Sequence, residues 1–280
     1  MKIARVFPRK TNMTPTDPLC FFQIPSLLMP PDVDEVHVSV AFTYDKAQGE
    51  YLAYQWGALG VPVKLGGPAY GKPAGEFIPG MYLKEGVTIT SRGCPNHCWF
   101  CRVPKIQGEL LELPIHDGWI IQDDNLLACS EQHTKNVFEM LKRQKNKAEF
   151  KGGLEAKLLK PWHVELFADL KPKSMFFAYD TPDDYEPLVK AGKMLKEAGI
   201  TIRTRIPMAY VLMGYKNDTL EKAEQRCIDT LKAGFIPFAM VYRDETGYRD
   251  PKWCTGWDNI QRRWSRQAIV YTRHKEYFAI

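Results

Sequence analysis

The sequence has no run of about 18 apolar residues, the length a helix needs to cross a bilayer. Nor does an apolar core follow the opening Met1-Lys2-Ile3-Ala4-Arg5, so no secretory leader is expected and a cytoplasmic location is. An even set of cysteines is also lacking. There are 7, three of them clustered, which argues against a disulfide framework and for metal binding in a reducing compartment. The other four, Cys20, Cys129, Cys227 and Cys254, are scattered singly, so the spacing of a second cluster is missing. Neither sign of charge dominates. Lys plus Arg number 38 against 33 Asp plus Glu, a net charge of +5. That mild basicity permits an anionic substrate without demanding nucleic acid.

What is present is concentrated in one stretch, Thr90-Ser91-Arg92-Gly93-Cys94-Pro95-Asn96-His97-Cys98-Trp99-Phe100-Cys101. Thiolates are soft ligands that suit zinc and iron–sulfur clusters. Three in one short loop can hold three irons of a cubane and leave the fourth iron open to a chelating molecule. Two other readings stand beside this one. A zinc site would need a fourth ligand, for which His97 is the nearby residue. Three closely packed structural thiols would need no ligand at all.

The C-x₃-C-x₂-C spacing, with the aromatic Phe100 directly before Cys101, resembles the signature of the radical S-adenosylmethionine (SAM) enzymes. The resemblance runs over roughly residues 36–245 and is closest to small members carried by phages and prophages. It implies that Cys94, Cys98 and Cys101 bind a [4Fe–4S] cluster and that SAM chelates the open iron. One electron would then cleave SAM to methionine and a 5′-deoxyadenosyl radical, which abstracts hydrogen from a substrate. An electron donor such as flavodoxin or ferredoxin is implied as a partner. So are Phe100 near the adenine and a barrel whose strand ends hold the cofactor.

Periodicity places the elements. Residues 1–35 carry six prolines and read as an extended segment laid over a domain. Alternation over Val36–Phe42, helical spacing over Lys46–Ala58 and the run Val61–Leu65 make a β-α-β unit, ended by Gly66-Gly67-Pro68. This unit resembles the last part of a cobalamin-binding domain, yet the chain contains no Asp-x-His-x-x-Gly motif. It is therefore expected to be a truncated relic, with His37 an ordinary strand residue. Pro73–Gly86 reads as a linker. From Val87 onward six strand signals alternate with helical ones, the last near Ile236–Tyr242. Repeated β-α order means a parallel sheet with helical crossovers. The expected fold is α/β: a partial (β/α)₆ TIM-like barrel with a small N-terminal βαβ extension. The divisions are 1–86, 87–245 for the barrel, and a C-terminal capping segment over 246–280. There Trp253, Trp257 and Trp264 sit among Arg262, Arg263 and Arg266, a helix that closes the barrel or an anion-binding surface.

Active sites of such barrels gather at the C-terminal ends of the strands. The second strand ends in Asp123-Asp124-Asn125, acceptors suited to SAM's ammonium and ribose hydroxyls, or else an Asx turn. Glu155 follows Gly152-Gly153 on the third strand and is a second candidate acceptor, or a surface charge. Asp180 ends the fourth strand and doubles as part of a helix start. Met213 and Gly214 end the fifth, where the resemblance implies backbone contact with adenine; Arg203 and Arg205 precede them, expected on one side of the strand. Cys227 shares a helix face with Leu220, Ala223 and Leu231 and reads as core. The leading expectation is a radical SAM enzyme with an unidentified substrate. A methylthiotransferase acting on RNA or protein, and a non-catalytic iron–sulfur or zinc protein, are the alternatives.

Overall fold

The computed structural model describes residues 1–26, 28–71, 77–215, 217–244, 246 and 251–279, with only the backbone of 251–255. The N-terminal part contains β1 (Ile3–Val6), β2 (Cys20–Phe21), β3 (Glu35–Ser39), α1 (Lys46–Gly57) and β4 (Val63–Gly66). They form one parallel sheet in the order β2-β1-β3-β4. This corrects the expectation for residues 1–35. β1 pairs with β3 along its whole length, from Ile3↔Glu35 to Val6↔Val38. Strands this short are decided by the neighbour that completes their hydrogen bonds, and a single charged residue, Arg5, hides the alternation.

Ala4, Val6, Val36 and Val38 bury one face of this sheet against Leu52 and Trp56 of α1. On the other face Cys20, Arg5, His37 and Lys64 lie side by side in register. The buried Arg5 donates to the carbonyls of Gly80 (3.1 Å) and Met81 (3.2 Å) and pairs with Asp17. His37 Nδ1 meets the Tyr82 hydroxyl at 2.6 Å. The segment around Gly80–Tyr82 is thus strapped across the polar face, which satisfies a cation that burial would otherwise penalise.

The second part runs β5 (Val87–Thr88), β6 (Ser91–Arg92), α2 (Val103–Ile106), β7 (Leu111–Glu112), β8 (Ile120–Ile121), α3 (Glu131–Lys142) and β9 (Glu149–Leu154). It continues through α4 (Pro161–Leu170), β10 (Ser174–Tyr179), α5 (Tyr185–Glu197), β11 (Pro207–Met213), α6 (Leu220–Lys232) and β12 (Ile236–Val241). Six of these strands form a parallel sheet in chain order, β5-β8-β9-β10-β11-β12. α3 through α6 touch in succession, so the crossovers form one helical layer. Among the described residues no ladder joins β12 to β5. The structure shows a mixed α/β fold with parallel sheets, and its second sheet is open. All six strands end on one edge, and that edge carries the cysteine loop.

One face of the sheet is core: Phe177, Ala209, Val211 and Met213 are buried, and Phe138, Phe150 and Phe167 pack edge-to-face and stacked beneath α3 and α4. Each such ring contributes about 1.5–3 kcal/mol on burial. The other face is half open and carries the ring row Phe176, Tyr210 and Phe238.

The fifth strand begins later than its sequence suggests. Ile202–Thr204 is a 3-10 turn, and Arg205 has φ 59°. Pro207 opens β11, a position where its missing N–H costs nothing. Arg203 therefore reaches the Ala279 carbonyl (2.5 Å) and Arg205 lies over Tyr271, both at the edge remote from the cysteine loop. α7 (Pro251–Ser265), α8 (Gln267–Arg273) and α9 (Lys275–Phe278) finish the chain. Trp257 and Trp264 are buried with Met213 and Cys227, and Arg263 pairs with Glu224 (3.2 Å). These residues pack as a cap; the Trp253 and Cys254 side chains lie outside the described residues.

Gly152 lets β9 approach the end of β8. A Cβ there would stand 1.8 Å from the Asp123 carbonyl oxygen, and no flexible side chain can yield. Gly152→Ala should cost at least about 1–3 kcal/mol. Urea unfolding measures it, and an unchanged midpoint would contradict the packing at this strand end.

Candidate functional site

The cysteine loop is built by a clasp. After β5 the chain turns into β6, which pairs antiparallel with β7, Ser91↔Glu112 and Arg92↔Leu111. Leu113 N–H reaches the Thr90 carbonyl at 2.8 Å. Everything from Gly93 to Leu110 hangs from this ribbon. Gly93 has φ 79°, and a Cβ on it would meet the Glu109 carbonyl oxygen at 2.1 Å. Only glycine fits there. Cys94 N–H points at the Gly108 carbonyl (3.4 Å), Cys101 N–H at the Cys98 carbonyl (3.0 Å), and Cys101 Sγ accepts from Val103 N–H (3.4 Å). The loop's own backbone sets the spacing of the thiols.

The three polar residues after β8 have three different jobs. Asp123 is 2% exposed and turned away from any opening. Its oxygens accept from Thr90 N–H (2.6 Å), Thr90 Oγ1 (2.5 Å) and Ser91 Oγ (2.9 Å). Through these bonds Asp123, one of the expected cofactor residues, staples β8 to the root of the cysteine loop. Burial pushes its carboxyl up, against the pull of these donors. Asp124 accepts from Gly93 N–H (2.8 Å) and lies 4.0 Å from Arg92. Asn125 reaches into the loop. Its Nδ2 donates to Glu155 Oε2 (2.8 Å) and to Cys94 Sγ (3.5 Å). Its Oδ1 is buried and has no partner among the described residues.

Glu155 closes the group, because the same Oε2 also accepts from Asn96 Nδ2 at 2.8 Å. The structure thus brings together Cys94, Asp124, Asn125 and Glu155 with Asn96. Asn96, Thr90 and Ser91 are not singled out by the sequence. Their only signal is position: Asn96 lies between two cysteines, and Thr90 and Ser91 lie just before them.

Met213 and Gly214 sit differently. The Met213 side chain is fully buried, and its carbonyl accepts from Tyr242 N–H (2.8 Å). Gly214 N–H is donated to Asp218 Oδ2 (2.7 Å), itself paired with Arg226 at 2.7 Å. The first bond goes to the end of the neighbouring strand and the second stays within the turn. Phe100 packs edge-on against Trp99, with ring centroids 5.4 Å apart. Trp99 is 57% exposed and leans across the strand ends onto Tyr215 (5.6 Å) and Tyr242 (6.0 Å).

Among the described residues no three His, Cys, Asp or Glu side chains converge on one ion position, and His97 is exposed. Burial, neighbouring cysteines and the aspartates push the Cys98 thiol up; burial and the same charges do so for Cys101. Burial likewise pushes Cys129, beside Ser91, up to about 11. Asp180, at the end of β10, accepts from Leu212 N–H (3.2 Å). Burial, then the charge of Asp184, pushes it up to about 7.

No protein family and no curated protein sequence matches the chain. Solved structures do. The fold is similar to that of the radical S-adenosylmethionine methyltransferase TsrM from Kitasatospora setae, solved with cobalamin and a [4Fe–4S] cluster bound. That match has a TM-score of 0.56 and 12% identity, and covers 78% of this chain and 66% of that one. The same enzyme with its tryptophan substrate and the SAM analogue aza-SAM matches with TM-score 0.56 and 12% identity, over 78% and 65%. This chain therefore spans slightly less than two thirds of its neighbour's length. No helix among the described residues is long and apolar enough to cross a membrane.

Asp180 makes stability depend on pH. A carboxyl near 3.8 when unfolded and about 7 when folded binds its proton more tightly in the fold. Stability is then lost as pH rises from about 4 to about 7, by at most about 4 kcal/mol. Asp180→Asn keeps the acceptor and cannot ionise. Thermal melts should show the variant gaining on the parent between pH 5 and pH 8; a constant difference would remove Asp180 as the cause.

Proposed function

We propose that this protein is a radical SAM enzyme and that the open sheet is a partial (β/α)₆ barrel. The observation that carries the reading is the bracing of a C-x₃-C-x₂-C loop, on the common C-terminal edge of six sequential parallel strands, by the ends of the second and third strands. Cys94, Cys98 and Cys101 would each hold a different iron of a [4Fe–4S] cluster. Such a cluster needs no convergence of the thiols on one point, unlike a zinc ion. The unpartnered Asn125 carbonyl beside Cys94 fits a donor such as the ammonium of SAM, and the half-exposed Glu155 offers an acceptor next to it. Phe100 is the aromatic wall. When bound, the cluster and SAM supply one-electron cleavage of the sulfonium and, through it, hydrogen abstraction from a substrate not yet identified. The chain itself holds the ligands in register and turns Asn125 and Glu155 toward the cofactor. An electron donor such as flavodoxin or ferredoxin is required, and the mildly basic chain admits an anionic substrate.

We assign no cobalamin to the N-terminal sheet. A Cβ on Gly67 would meet the Val40 amide and carbonyl at 2.7 Å, and Val40 N–H already bonds the Gly66 carbonyl (2.9 Å). The Gly-Gly turn packs on the end of the neighbouring strand β3, and His37 meets the Tyr82 hydroxyl. No step is assigned to that cofactor.

Anaerobic reconstitution tests the proposal. A brown protein that forms 5′-deoxyadenosine on reduction with SAM supports it, and a colourless protein carrying one zinc supports the non-catalytic alternative. Replacing Cys94, Cys98 or Cys101 by Ala should abolish the iron chromophore and SAM cleavage together, whereas Cys227→Ala should keep both. Among the acceptors, Asn125→Ala and Glu155→Gln should weaken SAM binding about 10- to 150-fold, the loss of a charge-assisted hydrogen bond of about 1.5–3 kcal/mol. Asp123→Ala should instead lower thermal stability. Calorimetric titration that finds SAM affinity intact in both the Asn125 and Glu155 variants would place the cofactor elsewhere.

A further inference from the structure

We infer that Asn125 sets the reduction potential of the iron–sulfur cluster through an N–H···S hydrogen bond to Cys94. This rests on the reading of Cys94 as an iron ligand. It assigns Asn125 a second task, distinct from contact with SAM.

The geometry is specific. Asn125 is 4% exposed. Its amide nitrogen has two hydrogens, and the structure gives each a target: Glu155 Oε2 at 2.8 Å and Cys94 Sγ at 3.5 Å. The assignment of nitrogen and oxygen is forced by Glu155, since an ionised carboxylate only accepts. Flipping the amide would set Oδ1 against that carboxylate. Asn96 donates to the same oxygen at 2.8 Å, so Glu155 is itself held from the cysteine loop. The side chain is thus locked with a donor aimed at one ligand sulfur.

A hydrogen bond to a ligand sulfur withdraws charge from it and stabilises the reduced, more negative cluster. The buried amide of Asn125 is shielded from water, which strengthens its donor. Cys101 also has a donor, the Val103 amide at 3.4 Å, but that one belongs to the loop backbone and no side-chain substitution removes it. Asn125 is a side-chain donor that reaches a cysteine of the loop.

Asn125→Leu keeps the volume and removes both donors. The test is an anaerobic redox titration of reconstituted protein without SAM, followed by electron paramagnetic resonance. The variant should take up iron and titrate at a lower potential, by at least a tenfold change in the one-electron equilibrium, about 59 mV. Asn125→Asp, which puts an acceptor where the donor stood, should shift it further down, and Cys227→Ala should not shift it. Iron-loaded Asn125→Leu titrating with the parent would overturn the inference while leaving the cluster assignment standing. If Asn125→Leu fails to load, Asn125→Asp decides, and an unchanged potential there is equally fatal. A parent protein that binds no iron would sink both the inference and the reading beneath it.

Discussion

A buried carboxylate holds this molecule's working edge together. Asp123 sits at the end of β8, yet its three hydrogen bonds go to Thr90 and Ser91, at the foot of the cysteine loop. Parallel strands joined by crossovers have no direct connection at their C-terminal ends, so a loop leaving one strand is free to swing unless another strand end restrains it. Asp123 supplies that restraint from inside, where competing water is excluded. Gly152 is its counterpart in the backbone: the missing Cβ lets β9 come close enough for Glu155 to share the same loop.

Around this anchor the polar residues are graded by depth. Asp123 is buried and structural, Asp124 braces Gly93 at the loop's first turn, and Asn125 and Glu155 reach Cys94 and Asn96. The negative charges beside the thiols, together with burial, hold Cys98 and Cys101 in their protonated form. Trp99 reaches from the loop to Tyr215 and Tyr242 on the far strands, so the edge is spanned by aromatic contacts rather than closed by a strand ladder.

The N-terminal sheet is tied on by a different device. Arg5 is buried on the sheet face opposite α1 and binds the carbonyls of Gly80 and Met81, which turns the stretch before β5 into a strap. The same face carries His37, whose partner is the strap's Tyr82. Both residues are spent on structure, and the Gly66-Gly67 turn is spent on Val40.

The sequence by itself determined the order of the six strands of the second sheet, the helices between them and the three thiols. Those properties are local: hydrophobic period, caps and the spacing of cysteines act over a turn or a strand. Cys227, buried on the inner face of α6, was legible for that reason. The tertiary structure alone decided which polar residues share the site. Asp123, Asp124 and Asn125 are consecutive and chemically alike, and only the neighbours brought from 31 or more residues away separate staple from brace from sulfur donor. It also decided that β1 and β2 exist, since two- to four-residue strands have no pattern until a partner completes their hydrogen bonds. Arg203 and Arg205 point away from the loop because Pro207, not the alternation before it, starts the strand. Where a side chain's role depends on what faces it across a sheet edge, sequence spacing carries no information about that facing residue.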